Sequence, residues 1–246
     1  MAVVKINYRN ILESGTVTVT TEDAAYPKYR LYDRDIGKLF KGTAFASPFA
    51  IVIDQGAVTS YPVNRLIIPI GHNLNGLACS LRYSTDNFSG DDHEAVGWTQ
   101  GDALAIDKSF TEQTKQYWKL NVTAPATIVE MPEMFLSKDY QFQRNIKPGV
   151  GEELKRNIVR TETLSGRVRK VKLGEERYGL TFDLGPIDST QKADLELWNA
   201  SIDGVKSFYV RDHNGVLNFM EMLNDLSFVN LTSSLWTTRF ELLEVL

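Results

Sequence analysis

The sequence predicts a mainly β protein in two parts, an antiparallel sandwich or barrel followed by a smaller β-rich domain flanked by one helix. Three observations predict it. Short runs rich in Val, Ile, Thr and aromatic residues recur from end to end, separated by Gly, Asn, Asp and Ser, as antiparallel strands and turns require. The charge character changes after residue 137. Only one segment, 188–204, combines a helical apolar period with start and stop signals.

Taken in order, "TVTVTT" (16–21) alternates with a period of two, so every second side chain can face a core. "AIVIDQG" (50–56) is a continuous apolar run that ends in a turn, and "RLIIPIGHNLNG" (65–76) stops at Gly71 with His72 and Asn73 at its tip. "LACSLRYSTD" (77–86) and "YWKLNVT" (117–123) alternate again. Pro27, Pro48, Pro62, Pro125 and Pro132 stand at the edges of these runs, where a missing N–H does least harm.

The stretch 138–177 holds 11 Lys or Arg against 6 Asp or Glu, while the whole 246-residue chain has a formal charge of −4, so the remainder is acidic. Within it, "KPGVG" (147–151) breaks any regular element and reads as a boundary. "GRVRKVKL" (166–173) and "RYGLTFDL" (177–184) are alternating strands that read as a hairpin closed by Gly174, Glu175 and Glu176. The helix follows, with Asp188 as N-cap, Gln191 three residues on, Leu195, Trp198 and Ile202 on one face, and Gly204 as the stop. "KSFYVRD" (206–212), "LNFMEML" (217–223) and "SLWTTRFELLEV" (234–245) complete the domain, with Asn214-Gly215 as a hairpin turn. The expected organisation is a sandwich at 1–137, a basic connector at 138–160, and a second domain at 161–246 with its helix at 188–203.

Composition excludes several classes. A net charge of −4 argues against specific nucleic-acid binding through phosphates. Cys79 is the only cysteine, so no internal disulfide and no thiolate zinc cluster forms. No run of about 18 apolar residues predicts a membrane span, and the opening "MAVVKINYRN" lacks a signal-peptide pattern, so assembly in a cytoplasm is expected.

His72 invites a catalytic or metal-binding reading, yet "GHN" is good turn material and no acid or second His stands nearby in sequence, so a structural corner is expected. Asp91, Asp92, His93 and Glu94 in "SGDDHEAVGW" (89–98) lack the alternating spacing of a calcium loop and read as a solvated connection. No nucleophile elbow, phosphate loop or His-Glu-x-x-His helix occurs, so no enzyme, cofactor or metal is predicted. In "RVRKVKL" (167–173), alternation places Arg167 and Arg169 on one face and Lys170 and Lys172 on the other. Neither face is apolar, so this strand is expected at an edge or projecting from the body. These four residues are candidate inter-subunit contacts, and the favoured partner is an acidic surface on another copy.

"NILESGTVTVTTEDAAYPKYRLYDRDIGKLF" (10–40), with "IVIDQG" (51–56), "VNRLIIP" (63–69), "HNL" (72–74) and "LRYSTDNFS" (81–89), resembles the galactose-binding-like (discoidin-type) jelly-roll sandwiches found in tailed-bacteriophage tail proteins. The second half, through "GVKSFYVRDHNG" (204–215) and "FELLEVL" (240–246), is similar to the tail-tube-like barrel of distal-tail and baseplate hub proteins. The resemblance implies a virion structural protein of a phage or phage-like tail tip, assembled in the host bacterial cytoplasm. It would form a homo-oligomeric ring, a hexamer, joining the tail tube to the hub and the adsorption apparatus. Distal-tail proteins usually place the barrel first, whereas here the sandwich leads. The alternative that the resemblance implies is a carbohydrate-binding module for host surface glycans. Its candidate glycan-facing aromatics are Tyr26, Tyr29, Phe88 and Trp98, with Phe40 also near a predicted loop.

Overall fold

A computed structural model describes residues 4–43, 48–57, 60–125, 127–142, 150–156, 158–162, 168–172 and 174–245. The chain forms two compact units, Arg9–Asp139 and a second that joins Met1–Tyr8 to Tyr140–Leu246. Strand β1 (Lys5–Asn7) therefore belongs to the second unit, although it precedes the sandwich.

The sandwich unit opens with the single turn α1 (Ile11–Ser14). Asn10 caps it by accepting from the Leu12 N–H at 3.3 Å, and its amide donates to the Met134 carbonyl at 2.8 Å, tying the start of the unit to its end. The strands are β2 (Thr16–Val19), β3 (Phe40–Lys41), β4 (Phe49–Asp54), β5 (Pro62–Ile68) and β6 (Ala78–Ser84), then β7 (His93–Thr99), β8 (Ile106–Thr114), β9 (Tyr117–Thr123), β10 (Glu130–Met131) and β11 (Phe135–Ser137). One antiparallel sheet runs β2-β4-β9-β6-β7, a second runs β11-β5-β8, and β10 pairs with β3.

The period-two alternation decides what each strand buries. Phe49, Ile51 and Ile53 of β4, and Trp118, Leu120 and Val122 of β9, point into one core with Val63, Leu66 and Ile68 of β5. Each such side chain contributes about 1.5–3 kcal/mol when withdrawn from water. In β5, Leu66, Ile67 and Ile68 are all buried in succession, which is why that strand reads as a continuous apolar run.

The second unit adds β12 (Tyr140–Gln141), β13 (Gly151–Lys155), β14 (Ile158–Glu162), β15 (Val168–Lys172), β16 (Arg177–Ile187), α2 (Ser189–Ile202), β17 (Phe208–Arg211), β18 (Leu217–Met222), β19 (Val229–Thr232) and β20 (Leu235–Glu244). Its main sheet runs β12-β1-β17-β18-β20-β16-β13, with β19 also paired to β20. Helix α2 forms where the sequence places it. The Asp188 carboxylate accepts from the Gln191 N–H at 2.8 Å, and Leu195, Trp198 and Ile202 are buried. Trp198 meets Phe208 edge-on at 5.2 Å and Phe240 at 5.4 Å, so the helix docks on the sheet through aromatic contacts. The Asn214-Gly215 turn closes the β17–β18 hairpin, with Gly215 at φ 85°, a conformation that costs glycine little.

Two expectations need correction. The sandwich does not include the extreme N-terminus, and the expected connector 138–160 contains β12, β13, an edge strand of the main sheet, and the start of β14. Residues 147–149 of the expected boundary lie outside the described residues. The other correction concerns Gly174–Glu175–Glu176, which does not close a hairpin. β15 pairs with β14, whereas β16 pairs with β13 and β20. Lys155 stands opposite Arg177 and Ile158 opposite Lys172, so two long arms pair along their length with a break between. Glu176 bridges the break, reaching Arg156 at 2.9 Å and Lys172 at 3.3 Å. An alternating pattern specifies a strand but not its partner, and the pairing of β15 followed the earlier strand.

Candidate functional site

The four candidate glycan-facing aromatics do not converge. Tyr26 and Tyr29 lie in the connection between β2 and β3, beside the end of β4 where the Thr20 N–H meets the Ala50 carbonyl. Phe88 lies between β6 and β7, at the opposite strand end, where Ser84 and Asp54 are both opposite Tyr117. Trp98 sits in β7, the edge strand farthest from β2. The Tyr26 ring lies beneath the Arg30 guanidinium at 5.1 Å and the Lys41 ammonium at 4.7 Å. Trp98 packs half-buried against the sandwich core, and its indole N–H has no partner among the described residues. Tyr29 is 51% exposed. Phe40, a further expected loop aromatic, is a fully buried core residue of β3.

Around Phe88, however, the structure builds a defined surface. Ser84 is buried at the end of β6, and its hydroxyl donates to Asp86 Oδ1 at 2.8 Å while accepting from the Phe88 N–H at 2.9 Å. The Asp86 carboxylate also accepts the N–H groups of Ser89, Gly90 and Asp91 at 2.8–3.2 Å. Hydrogen bonds to the charged form hold the Asp86 carboxyl below its usual range, that of Ser84 foremost. This web fixes Asn87 at φ 57° and Phe88 at φ 62°, two consecutive left-handed residues that are not glycine. A bulky side chain pays for that conformation, so surrounding bonds must impose it.

Beside this loop the Lys119 ammonium stands 3.8 Å from the Phe88 ring centre. Asp92 meets Arg82 at 2.6 Å and Lys119 at 3.5 Å. Asp91 accepts from the Thr85 hydroxyl at 2.6 Å, which holds its carboxyl below the ordinary range, and it pairs with His93 Nε2 at 2.6 Å. His93 stacks on Tyr83 at 5.5 Å and 29°. The result is a rigid, solvent-facing set of rings, carboxylates and cations. It can bind, but its charges are already paired and nothing is poised as a nucleophile with a base. Among the described residues, no three His, Cys, Asp or Glu come together as a metal site.

Sequence reasoning selected Phe88 but read Asp91, Asp92 and His93 as a solvated connection, and it missed Tyr83, Arg82 and Lys119. The available signal was the density of Asp, Asn, Ser and Gly in 84–92, which is that of side-chain-to-backbone turns. His72 behaves as the corner the sequence describes. Its Nε2 lies 2.9 Å from the Leu104 carbonyl and its Nδ1 accepts from the Leu74 N–H at 3.3 Å, so both nitrogens are committed to backbone. Cys79 is buried, and burial pushes its thiol up to about 11.

Of the basic residues proposed as contacts, Arg167 lies outside the described residues. Arg169 stands opposite Thr161, and Lys170 opposite Arg160, in the two-stranded β14–β15 sheet. Lys170 and Lys172 are exposed.

No family model matches the sequence, and no curated protein matches it. Solved structures similar to it include chitosan-binding module 1 of a chitosanase/glucanase from Paenibacillus sp. IK-5, at 19% identity and a TM-score of 0.46, covering 53% of this chain and 99% of that one. CpGH89CBM32-5 from Clostridium perfringens, in complex with GalNAc-β-1,3-galactose, is similar at 13% identity and a TM-score of 0.44, covering 53% of this chain and 100% of that one. A Ruminococcus gnavus GH29 fucosidase in complex with fucose is similar at 15% identity and a TM-score of 0.45, covering 54% of this chain and 27% of that one.

Proposed function

We propose that the sandwich unit is a carbohydrate-binding module whose contact surface is the loop between β6 and β7. One observation carries this reading: Asn87 and Phe88 are both held left-handed by a buried serine and a heavily bonded aspartate. A mere connection gains nothing from such strain, whereas a binding surface gains pre-organisation. Phe88 and His93 offer ring faces and edges to a sugar, while Asp91 and Lys119 offer an acceptor and a donor for hydroxyls. The reading needs no catalysis. A glycan array with the full chain tests it, followed by calorimetry on Phe88→Ala and His93→Ala. Binding that weakens severalfold, up to about tenfold, in either variant supports the reading, since one lost aromatic contact is worth about 0.5–1.5 kcal/mol. A blank array sinks it.

A second reading is favoured by a different observation, the β14–β15 ribbon, which pairs with no other described strand and displays Lys170 and Lys172. In this reading the chain is a structural component of a phage or phage-like tail tip. It forms a ring of six copies between the tail tube and the hub and carries the sandwich as its adhesive module. Avidity in such a ring would multiply weak glycan sites. Light scattering and negative-stain microscopy test the ring, and a strictly monomeric protein absent from purified particles refutes it.

A further inference from the structure

The outward face of β13, β16 and β20 bears a trough of about 490 Å³, floored by Gly151 and Thr181 and walled by Glu153, Asp183, Glu241 and the single cation Arg239. Alternation places it opposite Phe182 and Phe240, which face the core. Lys155 meets Glu153 at 3.1 Å and Arg239 meets Glu241 at 3.0 Å, so those two acids are partly neutralised. Asp183 is exposed and stands opposite Arg239 in the β16–β20 register, but it forms no ion pair among the described residues, Arg239 being turned to Glu241. The chain also carries the complementary element. Lys170 on β15 is exposed and likewise has no ion-pair partner among the described residues.

Within one copy these two residues lie in separate paired ladders. β13 and β16, which floor the trough, run on into β14 and β15, so the ribbon grows out of the trough's own strands. Lys170 lies opposite Arg160, nine residues beyond Gly151, which is about 30 Å along a strand.

We propose that this trough docks the β14–β15 ribbon of a second copy, with Lys170 of the incoming ribbon set against Asp183. The contact joins two different surfaces, so it is head-to-tail, and repeated it closes a ring or extends a filament. This rests on the structural reading above and identifies which surfaces meet.

Charge exchange in the full chain tests it. Sedimentation velocity at low and high salt would be run on wild type, Lys170→Glu, Asp183→Lys and the double exchange, with circular dichroism confirming folding. Both residues are exposed, so the fold should survive. Each single reversal should raise the concentration for half-assembly about tenfold or more, because a juxtaposed like charge is strongly unfavourable, and the double exchange should restore it. High salt should shrink all these differences. If wild type assembles and the single reversals do not matter, or the double fails to recover, this docking is wrong while the ring survives by another contact. If wild type stays monomeric at every concentration, the ring reading falls with it.

Discussion

Glu133 offers the sharpest test of the sandwich core. Its side chain is fully buried, and among the described residues the backbone N–H of Arg34 is the one donor that approaches its carboxyl, without forming a well-made hydrogen bond. Burial pushes its carboxyl from 4.5 up to about 9, with Asp33 and Glu13 reinforcing the effect and Arg34 opposing it. The folded state therefore keeps the acid neutral, whereas the unfolded chain ionises at an ordinary pH. Because the folded pKa is raised, no penalty exists below the unfolded value. Stability is then lost as pH rises from about 4.5 and levels off above about 9. Each unit costs about 1.4 kcal/mol, which gives about 3 kcal/mol at pH 7 and about 5 at pH 8. Against a typical total of about 5–15 kcal/mol, that is a large share. Glu133→Gln keeps the shape and cannot ionise. It should match wild type within about 1 kcal/mol at pH 5 and exceed it by several kcal/mol at pH 8. Urea-dependent hydrogen exchange in 131–136, measured at each pH unit from 5 to 9, reads the sandwich without interference from the second unit. A difference that stays flat across that range would refute the assignment of a buried neutral acid.

Four further outcomes are expected. Trp198→Ala empties the contact between α2 and the sheet and should lower the stability of the second unit by about 3–5 kcal/mol, seen in a chemical denaturation midpoint. Asp188→Ala removes the helix cap and should cost about 1 kcal/mol in the same assay. His72→Ala leaves the Leu74 N–H and the Leu104 carbonyl without their partner and should destabilise the sandwich by about 1–3 kcal/mol, an effect unchanged by chelators. Cys79, buried and poorly ionised, should react with a thiol reagent only after denaturation, and rapid labelling of the native protein would contradict its placement.

Much of the architecture was legible in residue order. The β4 and β9 strands bury every second residue because an extended chain turns successive side chains to opposite faces. The α2 helix was visible through its cap, its apolar face and its glycine stop, all of which act within a few residues of one another. The His72 corner was visible because Gly71 and Asn73 supply local turn chemistry. The β14–β15 pairing was hidden, since its strand pattern fits more than one neighbour. The assignment of β1 to the second unit was hidden for the same reason: three alternating residues do not name the strands, far along the chain, that will flank them.

The candidate surface was legible only in part. The Ser and Asp residues that lock Phe88 stand within eight positions of it, yet which donors each carboxylate takes depends on backbone angles that composition does not specify. Tyr83, Arg82 and Lys119 come from paired strands and reach the loop through sheet register alone. The dispersal of Tyr26, Phe88 and Trp98 is likewise a matter of strand order. The sequence by itself determined a mainly β chain with one capped helix and a structural histidine, because short-range periodicity and turn chemistry suffice for these, whereas the burial of its lone cysteine came only with the structure. Tertiary structure alone decided which strands pair, where the second unit begins, and which side chains share a surface, because pairing is settled by long-range burial that no local stretch encodes.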